Sequence, residues 1–284
     1  FRNLVEGDLV VHSHLEEPFG PDNLRGYEAY TFGYLLGLSG GVNYAKGRLT
    51  IRLQNNLSNY NYLISVLEGL FGCGIYRVDG AKTTSIFNVG TEPFWLKEFK
   101  KSSDNRVIPT EFLTMNRDTI IMLLKGLFDS ASKVRVDNAA IELRLNNLQM
   151  LKTVKMFLSA LGINTYNDGC SLTITKSKDV AIFSDKIGYG IKFKTVALEK
   201  VNSFLGKFRD NIQFRNMHDK QYFDSIDGYF NMIVTITDSQ AEVGDIEVPS
   251  VHHYNIGGLI SHNTGKSTMG ALLLIRKIYE LSCY

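Results

Sequence analysis

The sequence has little net charge, few cysteines and no long apolar run. Its net charge is only +2, so total charge implies no nucleic-acid partner, and such a partner would need local basic faces. The three cysteines are widely spaced, which suits a reducing compartment and fits no metal-ligand spacing. No apolar run reaches membrane-spanning length and no signal peptide opens the chain, so we expect a cytoplasmic protein with no membrane partner.

Two segments in the middle of the chain are alike. Each begins with Leu-x-Gly-Leu, whose glycines Gly37 and Gly126 are 89 residues apart. Each ends in a second Leu/Phe-Gly step, and there Gly72 and Gly162 are 90 residues apart. A nearly constant period indicates a duplicated structural unit.

The same coarse structure is predicted for both units. An apolar helix ends at each Gly-Leu segment, and a strand follows in which apolar and polar residues alternate, as in Leu49, Ile51 and Leu53. Period-two alternation with a polar outer face predicts a half-exposed sheet. Apolar residues at three-four spacing predict helices over 59–71 and 148–161. The repeat is therefore predicted to be α+β, with a duplicated αββαββ unit.

This arrangement resembles the LAGLIDADG (dodecapeptide) homing endonucleases from about Tyr27 to Arg209. The resemblance implies that two motif helices pack through Gly37 and Gly126, that the sheets lie in the major groove of double-stranded DNA, and that one acid at each helix end holds a divalent metal. A basic sheet face suits contacts to phosphates and base edges. The residues expected to contact DNA are Lys46, Arg48, Arg52, Arg135 and Arg144.

The acids of that family are missing. Aligned on the motif, the catalytic positions fall at Val42 and Ala131, while Asp129 matches the motif's other acid, which in the family resembles a structural and capping residue. Without carboxylates no metal is expected, and Mg²⁺ would be needed only if the domain were an active nuclease. We therefore expect a domain that keeps its fold and has lost cleavage. The alternatives are an active endonuclease whose metal site lies in another register, and a non-cleaving DNA-binding module.

Short β-rich pieces flank the repeat on both sides and resemble an intein, the self-splicing element of the Hedgehog-intein (HINT) fold. The resemblance is carried by residues 4–8, by 245–254 and by Gly-Leu-Ile-Ser-His-Asn at 258–263. It implies an all-β splicing domain into which the nuclease-like domain is inserted, since an exposed loop accommodates a second domain without breaking the host core.

The residues at the end of this element suit self-cleavage. The side-chain amide of Asn263 can attack its own main-chain carbonyl, close a succinimide and break the bond to Thr264, a step that needs general acid–base help. His262 is placed to polarise the carbonyl or protonate the leaving amine, and His252 to deprotonate the amide. Asp245 is expected to orient a histidine or activate the hydroxyl of Thr264, which receives the upstream flank. This chemistry needs no cofactor.

Two features of a whole intein are not found. Residue 1 is Phe rather than a nucleophile, and no Thr-x-x-His block precedes the repeat. We expect a partner that supplies the N-terminal splicing segment, in cis or in trans. Without that segment the chain should not splice, and at most it should cleave itself at Asn263.

The tail resembles the second half of a phosphate-binding loop. Gly265, Lys266 and Ser267 precede an apolar helical pattern, but the first glycine of such a loop would fall near residue 260, where none stands. The tail is therefore expected to belong to a P-loop ATPase host, with a terminase large subunit preferred over a helicase or recombinase. The expected boundaries are 1–24 and 211–263 for the splicing segments, 25–210 for the nuclease-like domain with repeats 27–110 and 111–209, and 264–284 for the host.

Overall fold

The computed structural model describes residues 9–13, 19–54, 60–80, 82–205, 228–232, 253–256 and 259–262. The helices in these ranges are α1 Gly26–Gly37, α2 Tyr60–Phe71, α3 Arg117–Ala131, α4 Leu148–Ala160, α5 Ser177–Lys186 and α6 Lys192–Leu205. The strands are β1 Leu9–Ser13, β2 Val42–Ala45, β3 Arg48–Gln54, β4 Ile75–Asp79, β5 Lys82–Asn88, β6 Ser132–Arg135, β7 Ala140–Arg144, β8 Tyr166–Asn167, β9 Ser171–Ile174, β10 Gly228–Met232, β11 His253–Ile256 and β12 Leu259–His262.

The middle of the chain contains the same unit twice. The element order is α1-β2-β3-α2-β4-β5 in the first copy and α3-β6-β7-α4-β8-β9 in the second, followed by α5 and α6. Each copy forms a four-stranded antiparallel sheet, ordered β2-β3-β5-β4 in the first and β6-β7-β9-β8 in the second. The predicted α+β class and the duplication are confirmed.

The alternation of apolar and polar residues gives each sheet a buried face. In β3 the side chains of Leu49, Ile51 and Leu53 are buried, while Arg48 and Arg52 are exposed. The second sheet buries Ile141 and Leu143 of β7 in the same way. Burying these branched side chains removes apolar area from water and fixes the strand register, because a slip of one residue would expose the whole set.

Helices α1 and α3 pack against each other through glycine. A Cβ added to Gly126 would lie 2.0 Å from the carbonyl oxygen of Tyr30, and one added to Gly33 would lie 2.0 Å from the carbonyl oxygen of Leu123. Each glycine thus faces the residue three positions before the other glycine, so an approximate two-fold axis relates Gly33 to Gly126. Only a residue without a Cβ allows two helix backbones to approach this closely.

This register differs by four residues from the one predicted from the sequence, which pairs Gly126 with Gly37. Gly37 is the last residue of α1, and a Cβ there would lie 1.9 Å from the side-chain oxygen of Ser130. Gly33 and Gly37 therefore both face α3, but Gly33 is the one at the backbone contact. The Leu-x-Gly-Leu motif of the first copy lies at residues 35–38. The glycine at the close contact between the helices lies one helical turn earlier, at Gly33.

A third sheet joins strands from both flanks of the repeat. Its order is β10-β1-β12-β11, and all neighbours are antiparallel. Leu9 pairs with Met232 at one end of β1, and His12 pairs with Leu259 of β12. Chain that precedes α1 and chain that follows α6 thus lie side by side in one sheet. Residues 245–252 of the intein-like segment 245–254 lie outside the described residues.

Among the helices that the structure describes, none has the length and apolar character that crossing a bilayer demands.

Replacing Gly126 by Ala should weaken the helix contact, because the new methyl group meets backbone atoms that cannot rotate away. We expect the free energy of unfolding to fall by about 3 kcal/mol, at the upper end for overpacked sites. Urea denaturation followed by circular dichroism measures the change. The matched control is Gly69→Ala, at an exposed position of α2 with open space around the added Cβ, which should gain about 0.5–1 kcal/mol. Equal stability of the two variants would contradict the packing described.

Candidate nucleic-acid interface and helix-end site

The two packed helices end at positions that carry no metal ligand. Helix α3 ends at Ala131 and runs directly into β6, while α1 ends at Gly37 and is followed by Leu38 and a 3-10 turn over Ser39–Gly41. With Gly33 equivalent to Gly126, the position equivalent to Ala131 is Leu38. Neither side chain has an oxygen, nitrogen or sulfur atom that could bind a metal.

The sequence alignment predicted Val42 at this position, and the structural register corrects that. Val42 is the first residue of β2, four residues beyond Leu38, and its side chain is buried in the core. The 3-10 turn, which the second copy lacks, accounts for the displacement. Among the described residues no group of three or more histidine, cysteine, aspartate or glutamate side chains is placed to hold a metal ion. The residues at the helix ends therefore do not fit the divalent metal that the resemblance implies.

Asp129, which aligns with the motif's other acid, lies at the junction of the two copies. It is buried, and one carboxylate oxygen accepts a 2.7 Å hydrogen bond from the Tyr30 hydroxyl of α1. The backbone N–H of Gly190 donates to Asp129 at 3.0 Å, and that of Ile191 at 3.4 Å. Burial raises the pKa of this carboxyl, and the hydrogen bonds oppose the rise. All of these hydrogen-bond donors are groups of the protein itself. The contacts of Asp129 are therefore those of a structural residue.

A buried lysine covers the carbonyl end of α3. Lys194 is 7% exposed, and its Nζ donates to the carbonyl oxygens of Phe128, Asp129 and Ser132 at 3.0, 2.8 and 2.6 Å. Burial lowers the pKa of Lys194 to about 8, and the charge of Asp129 opposes the fall. The last carbonyls of a helix lack intrahelical partners and carry negative partial charge, so a cation there satisfies both needs.

The first copy has a counterpart in Arg106. This side chain is 3% exposed, lies against the Phe99 ring, and donates from Nη2 to the carbonyl oxygen of Val42 at 2.5 Å. Burial lowers the pKa of its guanidinium. Val42 begins β2 as Ser132 begins β6, so a buried cation binds the first strand carbonyl in both copies. Neither cation is predicted from the sequence, and no local pattern marks Arg106, which directly follows the polar run Lys-Lys-Ser-Ser-Asp-Asn at 100–105.

The predicted DNA-contacting residues lie on the outer faces of the sheets and in one turn. Arg48 and Arg52 are exposed on β3 with Thr50 between them, and Lys46 lies in the turn from β2 to β3 with φ of 51°. In the part of the chain that the structure describes, neither arginine makes an ion pair. Two further basic residues that sequence analysis missed share this face, since β4 and β5 pair in register with β3: these are Arg77 and Lys82.

The second sheet places Arg135 and Arg144 on its outer face, and both form ion pairs with Glu142. Glu142 was not predicted, although the alternation of β7 points it outward, away from buried Ile141 and Leu143. These two arginines therefore share one carboxylate.

Of the predicted splicing residues, only His262 lies within the described ranges. It ends β12, and its backbone pairs with that of His253 on β11. The remaining ones lie outside the described residues: Asp245, His252, Asn263 and Thr264, together with Gly265, Lys266 and Ser267 of the phosphate loop.

No family model matches the chain. A glutamine–fructose-6-phosphate aminotransferase of Methanocaldococcus jannaschii is 24% identical over 199 residues, which make up 64% of this chain and 18% of that protein. A DNA polymerase of Thermococcus hydrothermalis is 25% identical over 244 residues, 74% of this chain and 14% of the polymerase. A DNA polymerase of Thermococcus sp. (strain GE8) is 24% identical over 195 residues, 63% of this chain and 11% of that protein. The chain thus spans less than a fifth of each curated relative.

Structural neighbours include LAGLIDADG proteins. Mesophilic variants of the homing endonuclease I-DmoI are similar with a TM-score of 0.44 and 16% identity, covering 58% of this chain and 92% of theirs. I-DmoI in complex with DNA and Mn has a TM-score of 0.40 and 17% identity, covering 58% and 98%. Full-length DUF199/WhiA from Thermatoga maritima has a TM-score of 0.40 and 12% identity, covering 72% and 68%.

Proposed function

We propose that residues 25–210 form a LAGLIDADG-type domain that binds double-stranded DNA without cutting it, carried within a self-splicing intein. The proposal that the domain does not cut DNA rests on the residues at the two helix ends. The glycine contact between α1 and α3 is intact, yet Leu38 and Ala131 stand where such a domain needs carboxylates. The fold is retained while the carboxylates of the metal site are missing, and this combination favours DNA binding over DNA cleavage.

DNA binding is supported by the outer face of the first sheet. Arg48, Arg52, Arg77 and Lys82 are exposed there, with Asp79 as the acid on the same face. One arginine can donate two parallel hydrogen bonds to the edge of a guanine in the major groove. Any cationic side chain on this face also attracts the phosphates. Because the net charge of the chain is only +2, this local surface rather than the whole molecule would provide the attraction.

Loss of cleavage follows from the chemistry of the helix ends. Phosphodiester hydrolysis of this type uses a divalent ion to activate water and to stabilise the developing charge, and hard divalent ions need oxygen ligands. Leu38 and Ala131 supply none. Lys194 and Arg106 also bring positive charge to the carbonyl oxygens where the first strands begin, which disfavours a second cation nearby. An active endonuclease would need ligands that come from elsewhere.

Two observations support the intein. Strands β1 and β12, from opposite flanks of the repeat, are neighbours in one sheet, as an inserted domain requires of its host. An aminotransferase and two DNA polymerases also share a similar segment that takes up 11–18% of each. Those activities have nothing in common, so the shared segment suits a mobile insert better than a catalytic domain.

The cleavage step would occur at the end of β12. His262 ends that strand, and Asn263 follows it directly, so the strand would hold the histidine next to the bond that breaks. The amide nitrogen of Asn263 attacks its own carbonyl carbon, the succinimide closes, and the amine of Thr264 leaves with a proton. We assign His262 as the acid, His252 as the base and Asp245 as a positioning residue. Thr264 would begin the host protein, whose Gly265-Lys266-Ser267 favours a P-loop ATPase.

The DNA-binding proposal predicts salt-dependent binding to duplexes selected from a randomised pool. Arg52→Ala should weaken binding by about 1–3 kcal/mol and reduce the slope of log K against log salt by about 1, because one cation contact is lost. Fluorescence anisotropy across a salt series measures both quantities. The charge-matched control is Lys200→Ala, an exposed lysine of α6, which should change neither. If the wild-type chain binds no duplex, the proposal is wrong.

The splicing proposal predicts self-cleavage between Asn263 and Thr264. Mass spectrometry of the purified chain should find the peptide 264–284, and the larger product should be lighter by one water than a hydrolysed one, because it ends in a succinimide. Asn263→Ala should abolish both signals, since alanine has no amide nucleophile. The control Asn88→Ala, at an exposed asparagine of β5, should leave them intact. Cleavage that persists in Asn263→Ala would show that this chemistry is not at work.

A further inference from the structure

The outer face of the second sheet has a carboxylate at a position where that of the first sheet has a neutral side chain. Ile51 pairs with the first residue of β2, and Leu143 pairs with the first residue of β6, so the residues before them, Thr50 and Glu142, are equivalent. The first copy therefore has a neutral side chain between its arginines. The second copy has a carboxylate there.

Glu142 is held by two guanidinium groups. Arg135 Nε donates to its Oε2, and Arg144 Nε donates to its Oε1. The Glu142 side chain is 8% exposed, while those of Arg135 and Arg144 are 40% and 66% exposed. The hydrogen bond from Arg135 and then that from Arg144 lower the pKa of the Glu142 carboxyl, and burial opposes this lowering without cancelling it. A carboxylate this covered is stable because both of its oxygens are paired with charged donors.

The pairing leaves the outer edges of both guanidinium groups available. The hydrogen bonds that the structure gives for Arg135 and Arg144 use Nε alone, and each guanidinium carries four further N–H donors on its Nη atoms. These two Nη atoms form the end that can donate in parallel to O6 and N7 of guanine. A guanidinium fixed at Nε loses less rotamer freedom when that end binds.

We propose that Glu142 is a positioning residue that orients Arg135 and Arg144 to recognise guanine in the major groove. The second sheet would then provide most of the sequence discrimination, while Arg48 and Arg52 of the first sheet, which have no such carboxylate, would bind with less preference. The proposal rests on the DNA binding proposed above. It predicts that removing the carboxylate strengthens general attraction to DNA and weakens discrimination at the same time.

The test is selection from a pool of duplexes randomised in sequence, followed by sequencing of the bound fraction. The base pairs that the two arginines recognise are those enriched by the wild-type chain and no longer enriched by Arg144→Ala. At these base pairs Glu142→Gln should lower enrichment about tenfold, within the 1–3 kcal/mol of one bidentate pair. It should also bind the unselected pool more tightly, because one negative charge is gone. Glu199→Gln, at an exposed glutamate of α6, makes the same charge change away from the sheets and should keep wild-type enrichment.

Glu142→Asp provides a second variant that keeps the charge and shortens the reach. It should lose enrichment at the same base pairs without the gain in affinity for the unselected pool. Unchanged enrichment in Glu142→Gln, with or without tighter binding to every duplex, would overturn the positioning role while DNA binding stands. If the wild-type chain binds no duplex, the proposed function itself fails, and thermal melts show whether each variant is folded.

Discussion

The backbone contact between α1 and α3 at Gly33 and Gly126 is the constraint on which the rest of the structure depends. With carbonyl oxygens only 2.0 Å from where each Cβ would stand, no other residue fits either position without moving a helix. The contact also brings Gly37 beside Ser130 near the helix ends. The sheets are then positioned by the helix pair, and their outer faces become the surface that each copy presents.

Electrostatics at the helix ends follow from that same contact. Two helix ends that meet in the interior bring together carbonyl oxygens that have no intrahelical partner. Here Lys194 binds three carbonyl oxygens at the end of α3, and Arg106 binds the carbonyl oxygen of Val42. Cationic side chains of the protein thus satisfy these carbonyl oxygens. Asp129 adds a carboxylate that ties the copies together through Tyr30 and the backbone near Gly190.

Much of the fold could be predicted from the sequence, because its signals are local. The alternation of β3 and the apolar periodicity of α2 and α4 give elements close to those observed, and a constant period reveals the duplication. The helix register could not be predicted in the same way. Gly33 lies between Phe32 and Tyr34 outside the Leu-x-Gly-Leu letters, and only the contact with Leu123 reveals its role. The pairing of Glu142 with Arg135 likewise depends on strand register across β6 and β7. The self-cleavage residues from Asn263 onward remain a prediction from the sequence.

Loss of cleavage in a domain that keeps its fold is the central claim, and incubation of the whole chain with Mg²⁺ and a supercoiled plasmid tests it most directly. The plasmid would carry the uninterrupted allele of the host gene, the site that a homing endonuclease cuts. Gel electrophoresis separates supercoiled, nicked and linear forms. With Leu38 and Ala131 at the helix ends, the account predicts that the plasmid stays supercoiled. A linear product cut at that site would contradict it.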